Sequence, residues 1–114
     1  MDEKLTNEAK YMLCTLYQEY LARRKRDIPK DDAAVFGGSE QLQESLFSTW
    51  PTHDISSVAR DLSSSGFLST LFGDNELVES ALTKNAIIYM ENRFKQGAGN
   101  LLNAIAELRT IIFP

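Results

Sequence analysis

The sequence predicts a mainly α-helical fold that carries one small β-hairpin. Apolar residues recur at i, i+3, i+4 and i+7 in successive stretches, the spacing of one buried helix face. Two short apolar runs flank Gly73-Asp74-Asn75, a centre that tolerates positive φ and suits a hairpin turn. Pro51, Gly66 and the pair Gly37 and Gly38 fall between the periodic stretches, where such residues end helices.

The first stretch, residues 5–26, places Leu5, Ala9, Met12, Leu13, Leu16, Tyr17, Tyr20 and Leu21 on one stripe. Thr6 or Asn7 is suited to cap its start, and Pro29 forbids continuation. The connector "DIPKDDAAVFGG" holds one helical turn at residues 31–35. Ser39 is the expected cap of a second helix, "EQLQESLFSTW", with Leu42, Leu46, Phe47 and Trp50 on its apolar side. Pro51 closes it, because a residue before proline avoids the α region. Thr52 or Asp54 then caps a third helix in which Ile55, Val58, Ala59 and Leu62 repeat at helical spacing, and Gly66 stands where a left-handed C′ residue belongs. Two strands follow at residues 67–72 and 76–82. Thr83 caps "KNAIIYMENRF", whose Ala86, Ile87, Tyr89, Met90 and Phe94 lie mostly on one side. "KQGAGN" breaks that helix, and a last one spans residues 100–112.

The chain has 114 residues, enough for one domain, and its 43% hydrophobic and 25% charged residues are ordinary for a globular protein with one core. No run approaches the roughly 20 apolar residues that span a bilayer, and "MDEKLTNEAK" has no apolar stretch of a secretory signal. With Cys14 as the single cysteine no intramolecular disulfide forms, so a reducing cytoplasm is the expected compartment and Cys14 is expected to pack as a small apolar group. The formal net charge is −4, which disfavours nonspecific nucleic-acid binding, since that binding depends on cations that release phosphate counterions. Seven of the twelve Lys and Arg residues nevertheless lie in the first 30 positions, and Arg23, Arg24, Lys25 and Arg26 are consecutive. That cluster either touches a polyanion or opposes the negative end of the helix macrodipole, and the second reading is the simpler.

Two short helices with a tight polar break, then a hairpin, then a helix: this order resembles the winged helix-turn-helix superfamily over residues 5–95. The most particular piece is "SSVARDLSSSGFLST…ELVESALTKNAIIYMENRF", in which a helix ends in "SSGFL", a hairpin follows, and a Leu-Thr step opens the next helix. Bacterial winged-helix regulators often carry a similar step with a glycine three residues after the threonine; Ala86 stands there in this chain. The layout is also similar to that of the small YjcQ-type proteins. The resemblance implies a winged-helix domain at residues 1–95 and an additional C-terminal helix at 96–114. It puts the helix of residues 54–65 in the groove-entering position and residues 73–75 at the wing tip. It also implies base or phosphate contacts from Ser56, Ser57, Arg60, Ser63 and Ser64, and a homodimer would gather with Arg60 the cations Arg23, Arg24, Lys25, Arg26 and Lys30 that the charge distribution singles out. Against double-stranded DNA as the partner stand Asp54 and Asp61 on that helix, Glu40 and Glu44 on its neighbour, and Asp74, Glu76 and Glu79 on the hairpin.

Catalytic and metal chemistry finds little footing in the sequence. His53 and Cys14 are single and fall on different elements, so neither a zinc set nor a Cys–His pair is expected, and no cofactor is implied. No phosphate-binding glycine loop or nucleophile elbow is present. The terminal helix spaces Leu101, Ile105, Leu108 and Ile112 like a coiled-coil seam, widened by Leu102, Ile111 and Phe113. Winged-helix regulators often dimerise through added helices, so the resemblance makes this face the expected homodimer interface; the other reading folds it back onto Tyr17 and Tyr20. The expectation is a non-enzymatic, DNA-associated transcriptional regulator acting as a dimer. The alternative is a module that keeps the shape and binds a protein partner instead.

Overall fold

The computed structural model describes residues 4–113; residues 1–3 of the expected domain 1–95 and Pro114 of the expected segment 96–114 lie outside that range. It is mainly helical, with one two-stranded antiparallel sheet. Helix α1 spans Asn7–Lys25, and Thr6 caps it by accepting from the Ala9 N–H at 3.1 Å. The predicted stripe is buried except at the half-buried Leu21, and Tyr11 and Cys14 are buried as well, because α1 packs against both α4 and α6. It ends at Lys25 with Arg26 as C-cap, and beyond it Asp27 takes φ +62 while the Ile28 N–H reaches back to the Arg23 carbonyl at 3.1 Å. This closure satisfies the last carbonyls two residues before Pro29 could break the helix. A single turn, α2 at Lys30–Ala33, follows.

Ala34 ends that turn in the αR region, and residues 34–36 then lie along the hairpin through one bridge at Val35, a pairing that periodicity does not reveal. Val35 bridges Ala81; the Phe36 N–H donates to the Ser80 carbonyl at 2.9 Å, and the Leu82 N–H to the Ala34 carbonyl at 2.9 Å. Gly38 makes the turn into α3, Ser39–Ser45. A Cβ there would sit 2.6 Å and 2.8 Å from the backbone oxygens of Leu77 and Val78, so only glycine permits this approach. The expected cap at Ser39 is corrected: Gly38 is the N-cap, its N–H bonded by the Gln41 side chain at 3.0 Å, and Ser39 is the first helical residue. The helix is also shorter than expected. It ends at Ser45, and Phe47 and Trp50 sit in the following turn, Phe47 meeting Tyr11 edge-on at a centroid distance of 6.2 Å and Trp50 stacked on it at 5.9 Å. Burying three rings together outweighs one more helical turn.

Helix α4 spans Thr52–Ser64, and here too the cap differs. Pro51 occupies the N-cap position, its carbonyl accepting from the Asp54 and Ile55 N–H groups, with no side chain capping in place of Thr52 or Asp54. Proline suits the site because it has no N–H to leave unpaired. Gly66 closes α4 at φ +84, as its place in the sequence implies. Strands β1 (Leu68–Gly73) and β2 (Glu76–Leu82) pair antiparallel, with an irregularity between Leu71 and Phe72. Asp74 and Asn75 both take positive φ, the two-residue turn whose twist matches a hairpin. Helix α5, Lys84–Arg93, starts at Thr83, whose hydroxyl accepts from the Ala86 N–H at 3.1 Å. Helix α6, Ala98–Ile112, begins two residues before the predicted start and lies along α1. Its Leu101, Ile105 and Leu108 belong to the same apolar cluster as Leu13, Ile55 and Met90, so residues 98–112 share the core of the preceding part. Among the described residues no helix is long and apolar enough to cross a membrane.

Candidate interaction surface

Ile55, Val58, Ala59 and Leu62 hold α4 to the core, as their spacing predicts. The opposite face presents Ser57, Arg60, Asp61 and Ser64 to solvent. Ser56 is not among them, and its expected outward placement is corrected. It is 1% exposed, lies 2.5 Å from a carboxylate oxygen of Glu76, and accepts the Leu77 N–H at 2.9 Å. Ser39 donates to the same Glu76 oxygen at 3.2 Å, so one carboxylate on β2 clips the starts of α3 and α4 to the hairpin. Ser63 is half-buried and accepts from the Thr70 hydroxyl at 2.9 Å. The Arg60 guanidinium lies over the Phe72 ring, 4.4 Å from its centroid, which directs it along the hairpin.

The sign of this surface follows from the chain itself. Between residues 39 and 82, which build α3, α4 and the hairpin, Arg60 is the single lysine or arginine among seven carboxylates. The hairpin carries Asp74, Glu76 and Glu79 and no cation. Among these acids Glu76 is engaged with buried hydroxyls, while Glu40, Glu44, Asp54, Asp61, Asp74 and Glu79 are exposed.

The basic cluster lies elsewhere and is partly used up. Arg23 pairs with Glu19 at 3.0 Å, donates to the Val35 carbonyl at 2.6 Å and the Ala33 carbonyl at 3.3 Å, and stacks on Phe36 at 4.6 Å. Arg24 donates to the Ile28 carbonyl at 3.0 Å, and Arg26 stands 3.8 Å from Glu19. Lys25 and Lys30 are exposed, and Lys30 lines a groove with Lys84 and Glu91 on the α2–α5 side. The Asp54, Ser57 and Asp61 flank of α4 instead shares a cavity with Thr6 and Glu8 at the other end of α1. A helix of 19 residues is about 28 Å long, so the cluster and that flank are separated by nearly the length of α1.

The residues expected as a dimer seam pack within their own chain. Leu101, Ile105 and Leu108 are buried against α1 of their own chain and Ile112 is half-buried, so this face is already covered. Arg109 fastens it by donating to the Tyr11 hydroxyl at 3.0 Å. Leu102 and Ile111 remain exposed, and Phe113, just past the helix, is partly exposed with its ring 6.3 Å from Tyr11 and 6.4 Å from Trp50.

Burial pushes the Cys14 thiol up to about 12, so at neutral pH it is an uncharged packing group with no nucleophilic thiolate. Burial, together with the charge of Glu91, also raises the Tyr17 phenol. His53 is exposed at the start of α4. Among the described residues no three His, Cys, Asp or Glu side chains are grouped to hold a metal ion. The residues that sequence reasoning missed are the walls of the α4 cavity, Glu8, Trp50 and Phe113, which come from three distant parts of the chain and share no local pattern. No family model, curated protein or solved structure matches this chain significantly.

Proposed function

We propose that this chain is a protein-interaction module built on a winged-helix arrangement, and that its α4 and hairpin face does not read DNA. The winged-helix assignment is supported by the order of α3, α4 and the hairpin, and by residues 34–36 pairing to the free edge of β2. The observation that carries the functional reading is charge. A duplex presents a dense row of phosphates, and the face that would meet them offers Arg60 alone beside six exposed carboxylates. A dimer that pooled cations through α6 would first have to uncover Leu101, Ile105 and Leu108. The same acidic face complements a basic protein surface.

Fluorescence anisotropy with mixed-sequence duplexes at low salt tests the reading, since low salt favours any phosphate contact. A flat titration up to high micromolar protein is expected. Saturable binding that weakens steeply with salt and is lost in Arg60→Ala would overturn it, and would restore the DNA-associated regulator.

A further inference from the structure

A cavity of about 430 Å³ opens where the starts of α1 and α4 meet the end of α6. Trp50 and Phe113 form its aromatic wall, their centroids 6.4 Å apart and their planes at 55°. The wall is braced from behind, because Trp50 stacks on Tyr11 at 5.9 Å and packs against Phe47 at 5.1 Å. Glu8, Asp54 and Asp61 line the same cavity, and none of its lining residues is a lysine or arginine. On α4, Asp54, Ser57 and Asp61 fall at i, i+3 and i+7, one stripe pointing into the opening.

Two opposing electrostatic effects meet here. The starts of α1 and α4 each bring roughly half a positive charge from the helix dipole. Three carboxylates outweigh these two halves, and the negative faces of the rings add to them. The cavity therefore favours a cation that is itself flat and partly apolar. A guanidinium stacks on aromatic rings and pairs with carboxylates through a planar fork; an ammonium is a more strongly hydrated point charge.

We propose that this cavity receives an arginine side chain of a protein partner, with its guanidinium against Phe113 and Trp50 and between Asp54 and Asp61. This deepens the module reading and rests on it. Charge complementarity selects the occupant: the rim is acidic, the wall aromatic, and the size that of a pocket for one small group.

Trp50 is the single tryptophan of the chain, so its fluorescence reports on the cavity directly. The probe is a short blocked Gly-Ser peptide with three arginines, compared with the same peptide carrying neutral citrulline, which keeps the shape and removes the charge. The arginine peptide should change Trp50 emission saturably, and citrulline should weaken binding roughly tenfold or more. The combined Asp54→Asn and Asp61→Asn variant should lose a similar factor, while Glu44→Gln on α3, outside the cavity, should stay within about twofold. Equal binding of the two peptides would overturn the proposal without any change to the protein. Binding weakened by Glu44→Gln but not by the cavity variant would place the site elsewhere on the acidic face, leaving the module reading intact and removing this inference. Duplex binding that needs Arg60 would remove the module reading itself.

Discussion

Replacing Ser56 with alanine separates a structural clip from a surface contact. The Ser56 hydroxyl is buried, lies 2.5 Å from the Glu76 carboxylate, and is the acceptor for the Leu77 N–H at 2.9 Å. A hydrogen bond to a charged group contributes about 1.5–3 kcal/mol, and a buried donor left unpaired costs about 1–3 kcal/mol. Glu76 is half-buried and regains some water when the serine is gone, which argues for the lower part of the combined range. Alanine is also the better helix former, by up to about 0.5 kcal/mol, which works in the opposite direction. The expected net loss for Ser56→Ala is about 2–3 kcal/mol, or a fall in Tm of about 8–12 °C at roughly 4 °C per kcal/mol. Ser57→Ala, next door on the exposed face, gains the same propensity and loses no buried bond, so it should lie within about 0.5 kcal/mol of the parent. Urea unfolding followed by Trp50 fluorescence and by far-ultraviolet circular dichroism gives both numbers. If Ser56→Ala proves as stable as Ser57→Ala, Ser56 is not a clip, and the reasoning that removes it from the outward face fails.

Two further outcomes follow from burial. Ile105→Ala should lower stability by about 2–3 kcal/mol in one cooperative transition, with sedimentation unchanged, because Ile105 packs in the core of its own chain. A stability change under about 0.5 kcal/mol together with the dissociation of a dimer would return this face to an interface between copies. Cys14 should resist thiol reagents near neutral pH except at the rate at which the fold opens. Its thiol is raised from 9.0 to about 12, so the unfolded chain gives up this proton first. Stability should therefore be level below about pH 9 and fall between about pH 9 and 12, by up to about 1.4 kcal/mol per unit, with Tyr17 acting in the same direction. Urea midpoints at about pH 8 and pH 10.5 check this, and Cys14→Ala should flatten the slope; an equally steep fall in that variant would refute the assignment to the thiol.

Features fixed by neighbours in sequence were readable in the chain. Helical spacing gave the buried faces of α1 and α4, Gly66 and Thr83 marked an end and a start, and Gly-Asp-Asn located the hairpin. Features fixed by distant partners were not. Ser39 and Ser56 look like surface serines until Glu76 arrives from β2 to satisfy them. Phe47 and Trp50 keep helical spacing after Leu42, yet Tyr11 draws them into an aromatic cluster and the helix stops at Ser45. The apolar face of α6 shows that a partner is needed, while its identity as α1 is a matter of tertiary geometry. Val35 forms a single bridge, too short for any alternation to show. For the candidate surface, the acidic sign was legible from composition along the chain, and the cavity that concentrates it was not.

Arg23 has a consequence for how the molecule avoids its own kind. Residues 34–36 form the outer rim of the sheet, with the Ala34 carbonyl and the Phe36 N–H turned inward to β2. The bridging residue Val35 therefore turns its own carbonyl the other way, where a strand from another molecule could add. The Arg23 guanidinium holds that carbonyl, together with the Ala33 carbonyl at the end of α2. A charged side chain from α1 thus takes the place of a further strand, and the rim is closed to edge-to-edge growth. What the sequence offers as a phosphate contact serves in the fold as a guard against aggregation.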